Sequence, residues 1–76
     1  MTDVTVPRDP ADALAAVVAL RRLADQLEDA AVEQAMRAGL GWPQVAEALG
    51  VTRQAVHKKH ARRLIVAGVN LRRREA

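Results

Sequence analysis

The sequence predicts an all-α protein that consists of one long helix followed by two short ones. Apolar residues recur at helical spacing from residue 10 to residue 38, and no glycine interrupts that run. Glycines at positions 39, 50 and 68 then divide the rest of the chain into two short periodic segments. No segment alternates as a strand does. With 76 residues, no cysteine and one aromatic residue, we expect a single domain with a small aliphatic core.

The first helix is predicted over residues 10–38, after a loose tail over residues 1–9. Asp9 is a suitable N-cap, Pro10 suits the first helical position, and Asp12 places an acid in the first turn. One apolar stripe follows the helical period, and we expect it to face the core. The stripe consists of Ala13, Val17, Leu20, Leu23, Ala24, Leu27, Ala31 and Ala35, and is widened by Leu14, Val18 and Met36. The charged residues are expected on the solvent side.

The second and third helices are predicted over residues 42–49 and 53–67, within the single domain 1–76. Gly41 and Gln44 form half of a capping box at the first of them, and Trp42 is expected to cover the core beside the long helix. Gly50 allows the positive φ of a tight turn, and Thr52 is a good N-cap for the last helix. Residues 68–76 form a basic tail.

Charge is divided unevenly along the chain. Residues 1–50 contain four basic and eight acidic side chains, whereas residues 51–76 contain eight basic side chains and one acid. The excess of positive charge begins on the last predicted helix. A basic segment beside an acidic one is typical of a surface that binds a polyanion, and we expect that polyanion to be a nucleic acid.

Residues 42–61, WPQVAEALGVTRQAVHKKHA, resemble the helix-turn-helix superfamily of DNA-binding proteins. The resemblance extends over residues 30–64, and is strongest to sigma-factor region 4 and to small actinobacterial regulators. The family pattern asks for a small residue, a turn glycine and an aliphatic residue, which here are Ala46, Gly50 and Val56. Lys59 and His60 depart from it, because many relatives have a large apolar residue there.

The resemblance implies that the third helix enters the major groove of double-stranded DNA. Gln54 and Arg53 would then contact base edges, and His57 a base or a phosphate, while Thr52 caps the helix near a phosphate. The remaining basic side chains would position the protein on phosphates. The complete predicted interface is Thr52, Arg53, Gln54, His57, Lys58, Arg62, Arg63, Arg72, Arg73 and Arg74.

The long helix is longer than a three-helix unit needs. Leu14, Val17, Val18 and Leu20 lie beyond the reach of such a core. Either residues 65–71 fold back over these side chains, or a second subunit covers them. We favour a homodimer through the long helix, because a two-fold protein suits palindromic DNA sites.

Composition also excludes several classes of function. The chain lacks cysteine, serine and tyrosine, so we expect neither an enzyme nor a cofactor, and the spacing of His57 and His60 does not suffice for a metal site. There is no signal peptide or membrane span, so we expect a cytoplasmic, nucleoid-associated bacterial protein. A sequence-specific transcriptional regulator is the preferred interpretation. The alternatives are a low-specificity architectural DNA-binding protein, or a protein-interaction module such as an antitoxin or an RNA polymerase adaptor.

Overall fold

The computed structural model describes residues 3–71, and it is all-α as predicted. Helix α1 runs over Pro10–Arg37, α2 over Trp42–Leu49 and α3 over Arg53–Val66. The three helices begin at the predicted residues, and α1 and α3 each end one residue earlier than predicted. The basic tail that was predicted to contact DNA through Arg72, Arg73 and Arg74 lies outside the described residues. None of the three helices combines the length and the hydropathy of a membrane-spanning segment.

Local hydrogen bonds explain where the helices begin. The Asp9 carboxylate accepts the Ala11 N–H at 2.8 Å, and the Thr52 hydroxyl accepts the Ala55 N–H at 3.0 Å. At α2 the Gln44 side chain accepts the N–H of Gly41 at 2.8 Å. Each bond gives a partner to a backbone N–H at the start of a helix that the helix itself leaves without one. All three predicted N-caps are therefore confirmed.

The turn between α2 and α3 depends on Gly50. Its φ of 72° lies in the left-handed region, which side chains with a Cβ rarely adopt. The Gly50 N–H donates to the Glu47 carbonyl at 3.2 Å and the Val51 N–H to the Ala46 carbonyl at 3.0 Å. This pair of bonds ends α2 within one residue and leaves Thr52 free to start α3.

The core lies where the last third of α1 meets α2 and α3. Only two residues of α1 are buried in it, Val32 and Met36. The other buried members of this apolar cluster are Val45, Ala46, Val56, Leu64 and Val69. Trp42 packs against its rim, as predicted, together with Ala35 and Leu71. The segment after α3 thus completes the core through Val69 and Leu71, although residues 68–76 were predicted to form a basic tail.

The predicted core stripe of α1 was wrong for most of its length. Leu20, Leu23 and Leu27 are 65%, 62% and 67% exposed. Val32, which the stripe omitted, follows Leu27 by five residues and so lies about 140° around the helix. The α2–α3 pair docks on this second, shorter face. The reason is that Val32 and Met36 are flanked by acids that have basic partners on α3.

The alternative in which residues 65–71 cover the start of α1 is also wrong. Ile65 and Val66 are 63% and 82% exposed, and Leu14 remains 68% exposed. The molecule is consequently elongated, with extents of 52 × 28 × 19 Å and a radius of gyration of 16.0 Å. A compact chain of this length would have a radius of gyration of roughly 11 Å. The first half of α1 projects from the three-helix core.

Candidate nucleic-acid interface

One exposed face of α3 carries polar and basic side chains in a regular row. Gln54, Lys58 and Arg62 follow one another at intervals of four residues, so they lie on one side of the helix, and all three are exposed. Arg53 and His57 are exposed beside this row. Helix α3 contains five Lys or Arg residues and no acid. The face is therefore positively charged along its whole length.

The basic residues of α3 separate into two groups by what they contact. Lys59 and Arg63 form ion pairs with acids of α1. Arg53, Lys58 and Arg62 form no ion pair with any residue between positions 3 and 71. The first group fastens α3 to the long helix. The second group leaves three cations available on the opposite side.

Glu28 is the centre of the contacts between α1 and α3. Its carboxylate lies 2.6 Å from His60 Nε2 and 3.1 Å from Lys59 Nζ. The hydrogen bonds from His60 and then Lys59 hold the pKa of Glu28 below its ordinary value, although partial burial opposes them. The bond to Glu28 likewise raises the pKa of Lys59. Glu28 is therefore a charged group at neutral pH, with its partners fixed by helix packing.

His60 is the one buried polar side chain of the described residues, at 1% exposure. Arg63 lies 2.9 Å from its Nδ1, and a guanidinium can only donate, so Nδ1 accepts. Nε2 then carries the hydrogen and donates to Glu28. Both ring nitrogens are satisfied, which explains how a histidine can be buried at this place.

Arg63 makes more contacts with α1 than the other described residues of the predicted interface. Its guanidinium donates to the Asp29 carbonyl at 3.3 Å and lies 3.6 Å from the Glu33 carboxylate. Arg63 also lies nine residues beyond Gln54, about 180° around α3. The structure thus places Arg63 on the side of α3 that faces the long helix, away from the exposed row.

Trp42 contacts the beginning of α3. Its ring meets the His57 ring edge to face, with centroids 5.1 Å apart. An open cleft of about 370 Å³ lies between the N-terminal ends of α2 and α3, lined by these two rings with Pro43, Arg53 and Gln54. The indole therefore has two roles. It packs on the core rim, and it limits the orientations of His57 beside Gln54.

The structure brings most of the predicted interface together. Gln54, Lys58 and Arg62 lie along one exposed face of α3, and Thr52, Arg53 and His57 are exposed around its N-terminal end. The contacts of Glu28, Asp29 and Glu33 with α3 were missed, because the acids were expected to face solvent. A signal existed in the sequence. Asp25 and Asp29 are four residues apart, as are Lys59 and Arg63, and Lys59 lies 3.9 Å from Asp25 while Arg63 lies 3.9 Å from Asp29.

Comparison with protein-family models, with curated proteins and with solved structures finds no match for this chain.

Proposed function

We propose that this protein is a sequence-specific DNA-binding transcriptional regulator that inserts α3 into the major groove and acts as a homodimer. The observation that carries the proposal is the row of exposed Gln54, Lys58 and Arg62 with Arg53 beside it. Its cations have no counter-ions among residues 3–71. Uncompensated cations on the exposed face of a helix favour a polyanionic partner.

The dimensions of the row suit the groove. Eight residues separate Gln54 from Arg62, which corresponds to about 12 Å along a helix, similar to the width of the major groove. The N-terminal end of α3 would then face the bases, where Gln54 suits adenine and Arg53 suits guanine. Lys58 and Arg62 would reach the phosphates that border the groove.

The ion pairs on the other side of α3 support the same orientation. Asp29 and Glu33 lie within 4 Å of basic groups that point away from the row, so the acids of α1 do not oppose a phosphate backbone. Thr52 accepts the Ala55 N–H with its hydroxyl oxygen, which leaves the hydroxyl hydrogen available to a phosphate. Each predicted contact residue in this arrangement is positioned by a helix rather than by a loop.

The salt dependence of DNA binding tests this proposal. In the double variant Lys58→Gln/Arg62→Gln, the slope of log affinity against log salt becomes shallower by about 1.8 for each copy of the chain on the DNA, because each copy loses two phosphate contacts. The matched control is Arg21→Gln/Arg22→Gln, which removes two exposed cations from α1. We expect its slope to equal that of the wild type. An unchanged slope in the α3 variant, or an equal change in both variants, would refute binding through this face.

A further inference from the structure

The exposed stripe of α1 has the spacing of a coiled-coil seam. Its residues follow at alternating intervals of three and four, which is a heptad pattern. The seam consists of Ala13, Ala16, Leu20, Leu23, Leu27 and Ala30. Between residues 13 and 31 the positions that flank it are uncharged, namely Val17, Ala19, Ala24, Gln26 and Ala31. Charged side chains are thus kept away from a strip about two and a half heptads long.

Nothing between residues 3 and 71 buries this seam. Its three leucines are each more than 60% exposed, and the α2–α3 pair occupies another face of the helix. Residues 4–7 lie alongside the beginning of α1, but Val4 and Val6 are themselves 80% and 66% exposed. An isolated helical segment of this length is marginal in water, because helix stability in proteins comes mainly from packing. The seam therefore requires an occupant.

We propose that a second copy of this chain docks antiparallel along the seam. The heptad is self-complementary in that direction. Leu20 then faces the partner's Leu23, Ala16 faces the partner's Leu27, and Ala13 faces the partner's Ala30. Each contact joins a residue from the N-terminal half of one seam to a residue from the C-terminal half of the other. The contacts made by the two copies are therefore identical, as a two-fold interface requires.

An apolar cleft distinguishes the antiparallel from the parallel arrangement. It has a volume of about 190 Å³ and lies between the N-terminal segment and α1, with Val4, Val6, Ala16 and Leu20 among its lining residues. In the antiparallel register the partner's Leu27 faces Ala16 and enters this cleft. In a parallel pair Ala16 would face the partner's Ala16, and the cleft would stay unfilled. A void of that kind loses the contacts that packing provides.

The area of the seam is adequate for a dimer. The three seam leucines are 65%, 62% and 67% exposed, so pairing two seams removes on the order of 1,000 Å² from water over both copies, about the minimum for a specific interface. The antiparallel geometry also specifies the distance between the two proposed DNA-binding units, and this part of the inference rests on the proposed function. The two-fold axis passes between residues 21 and 22, so the cores near residue 33 are roughly 35 Å apart along α1. Half-sites one turn of DNA apart, about 34 Å, match that separation.

Disulfide crosslinking without DNA tests the direction of the pair, since the chain contains no cysteine of its own. Ala13→Cys and Ala30→Cys are made in separate full-length chains and oxidised alone and as a mixture. We expect the mixture to form the heterologous disulfide and each variant alone to remain largely uncrosslinked. Efficient crosslinking of Ala13→Cys with itself would overturn the antiparallel arrangement.

Sedimentation of the full chain tests whether a second copy occupies the seam. We expect a dimeric wild type, and at least an about 100-fold weaker dimer in Leu20→Glu, because like charges would be buried near the two-fold axis. The matched control is Ile65→Glu, since Ile65 on α3 is 63% exposed and Leu20 is 65% exposed. A monomeric wild type, or equal weakening by both substitutions, would overturn the proposal. Neither outcome would alter the salt slope that tests α3.

Discussion

At the scale of single residues, the two sides of α3 have different chemistry. Lys59, His60 and Arg63 are held by acids of α1, whereas Gln54 and Lys58 have no such constraint. The exposure of the second group follows from its spacing, so the sequence was enough to predict it. The burial of His60 was not predictable from α3 alone, because its partner Glu28 lies 32 residues earlier on another helix.

We predict that Gln54→Ala weakens binding to a preferred duplex by about 1–3 kcal/mol and leaves binding to random DNA unchanged. Gln54 carries no charge, so its contribution comes from base contacts rather than phosphates. Gln34→Ala on the exposed side of α1 is the control and should alter neither affinity. Fluorescence anisotropy with both duplexes measures the difference. An equal loss on random DNA would show that Gln54 does not read bases.

We predict that Glu28→Gln removes part of the acid sensitivity of the fold. The pKa of Glu28 is lowered in the folded state, so its contribution to stability is complete above the ordinary carboxyl pKa. That contribution is lost as the pH falls through the lowered value. Urea midpoints from pH 7 down to pH about 3 should therefore decline less steeply in the variant than in the wild type. Parallel curves would contradict the role assigned to Glu28.

At the scale of elements, the helix boundaries were predictable because caps and turns are local. Asp9, Gly50 and Thr52 each act through bonds to residues at most four positions away. The face of α1 that docks was not predictable in the same way. The most periodic stripe includes Leu20 and Leu27, but α2 and α3 pack on the shorter face that contains Val32. Periodicity shows that a face of α1 is apolar. It does not show whether the α2–α3 pair will pack on that face or on another one.

We predict that Gly50→Ala destabilises the protein by about 1–2 kcal/mol through the left-handed backbone at this position. No heavy atom lies within 4 Å of a Cβ built there, so any destabilisation arises from the backbone rather than from a clash. Gly50→Asn is the matched variant, because asparagine tolerates this conformation better and should recover part of the loss. Urea unfolding measures both. Equal stability of the alanine variant and the wild type would contradict the account of the turn.

At the scale of the whole molecule, the chain joins two apolar surfaces through one helix. The end of α1 contributes to the small core that holds α3, and the first half of α1 carries leucines that stay exposed. The sequence predicted the excess length of α1 and its uncovered leucines, although it placed the core on the wrong face. The 52 Å extent of the molecule follows from this division. In the proposed dimer, α1 would set the distance between the two α3 helices.

The central claim is that this protein reads a DNA sequence through α3. The most direct measurement selects duplexes from a random library with the full chain, and then compares the affinity of a selected duplex with that of its scrambled version at physiological salt. We predict a selected site that binds at least about 10³-fold more tightly than the scrambled duplex. Equal affinity for the two duplexes would instead indicate an architectural protein, and no binding to either would contradict the claim altogether.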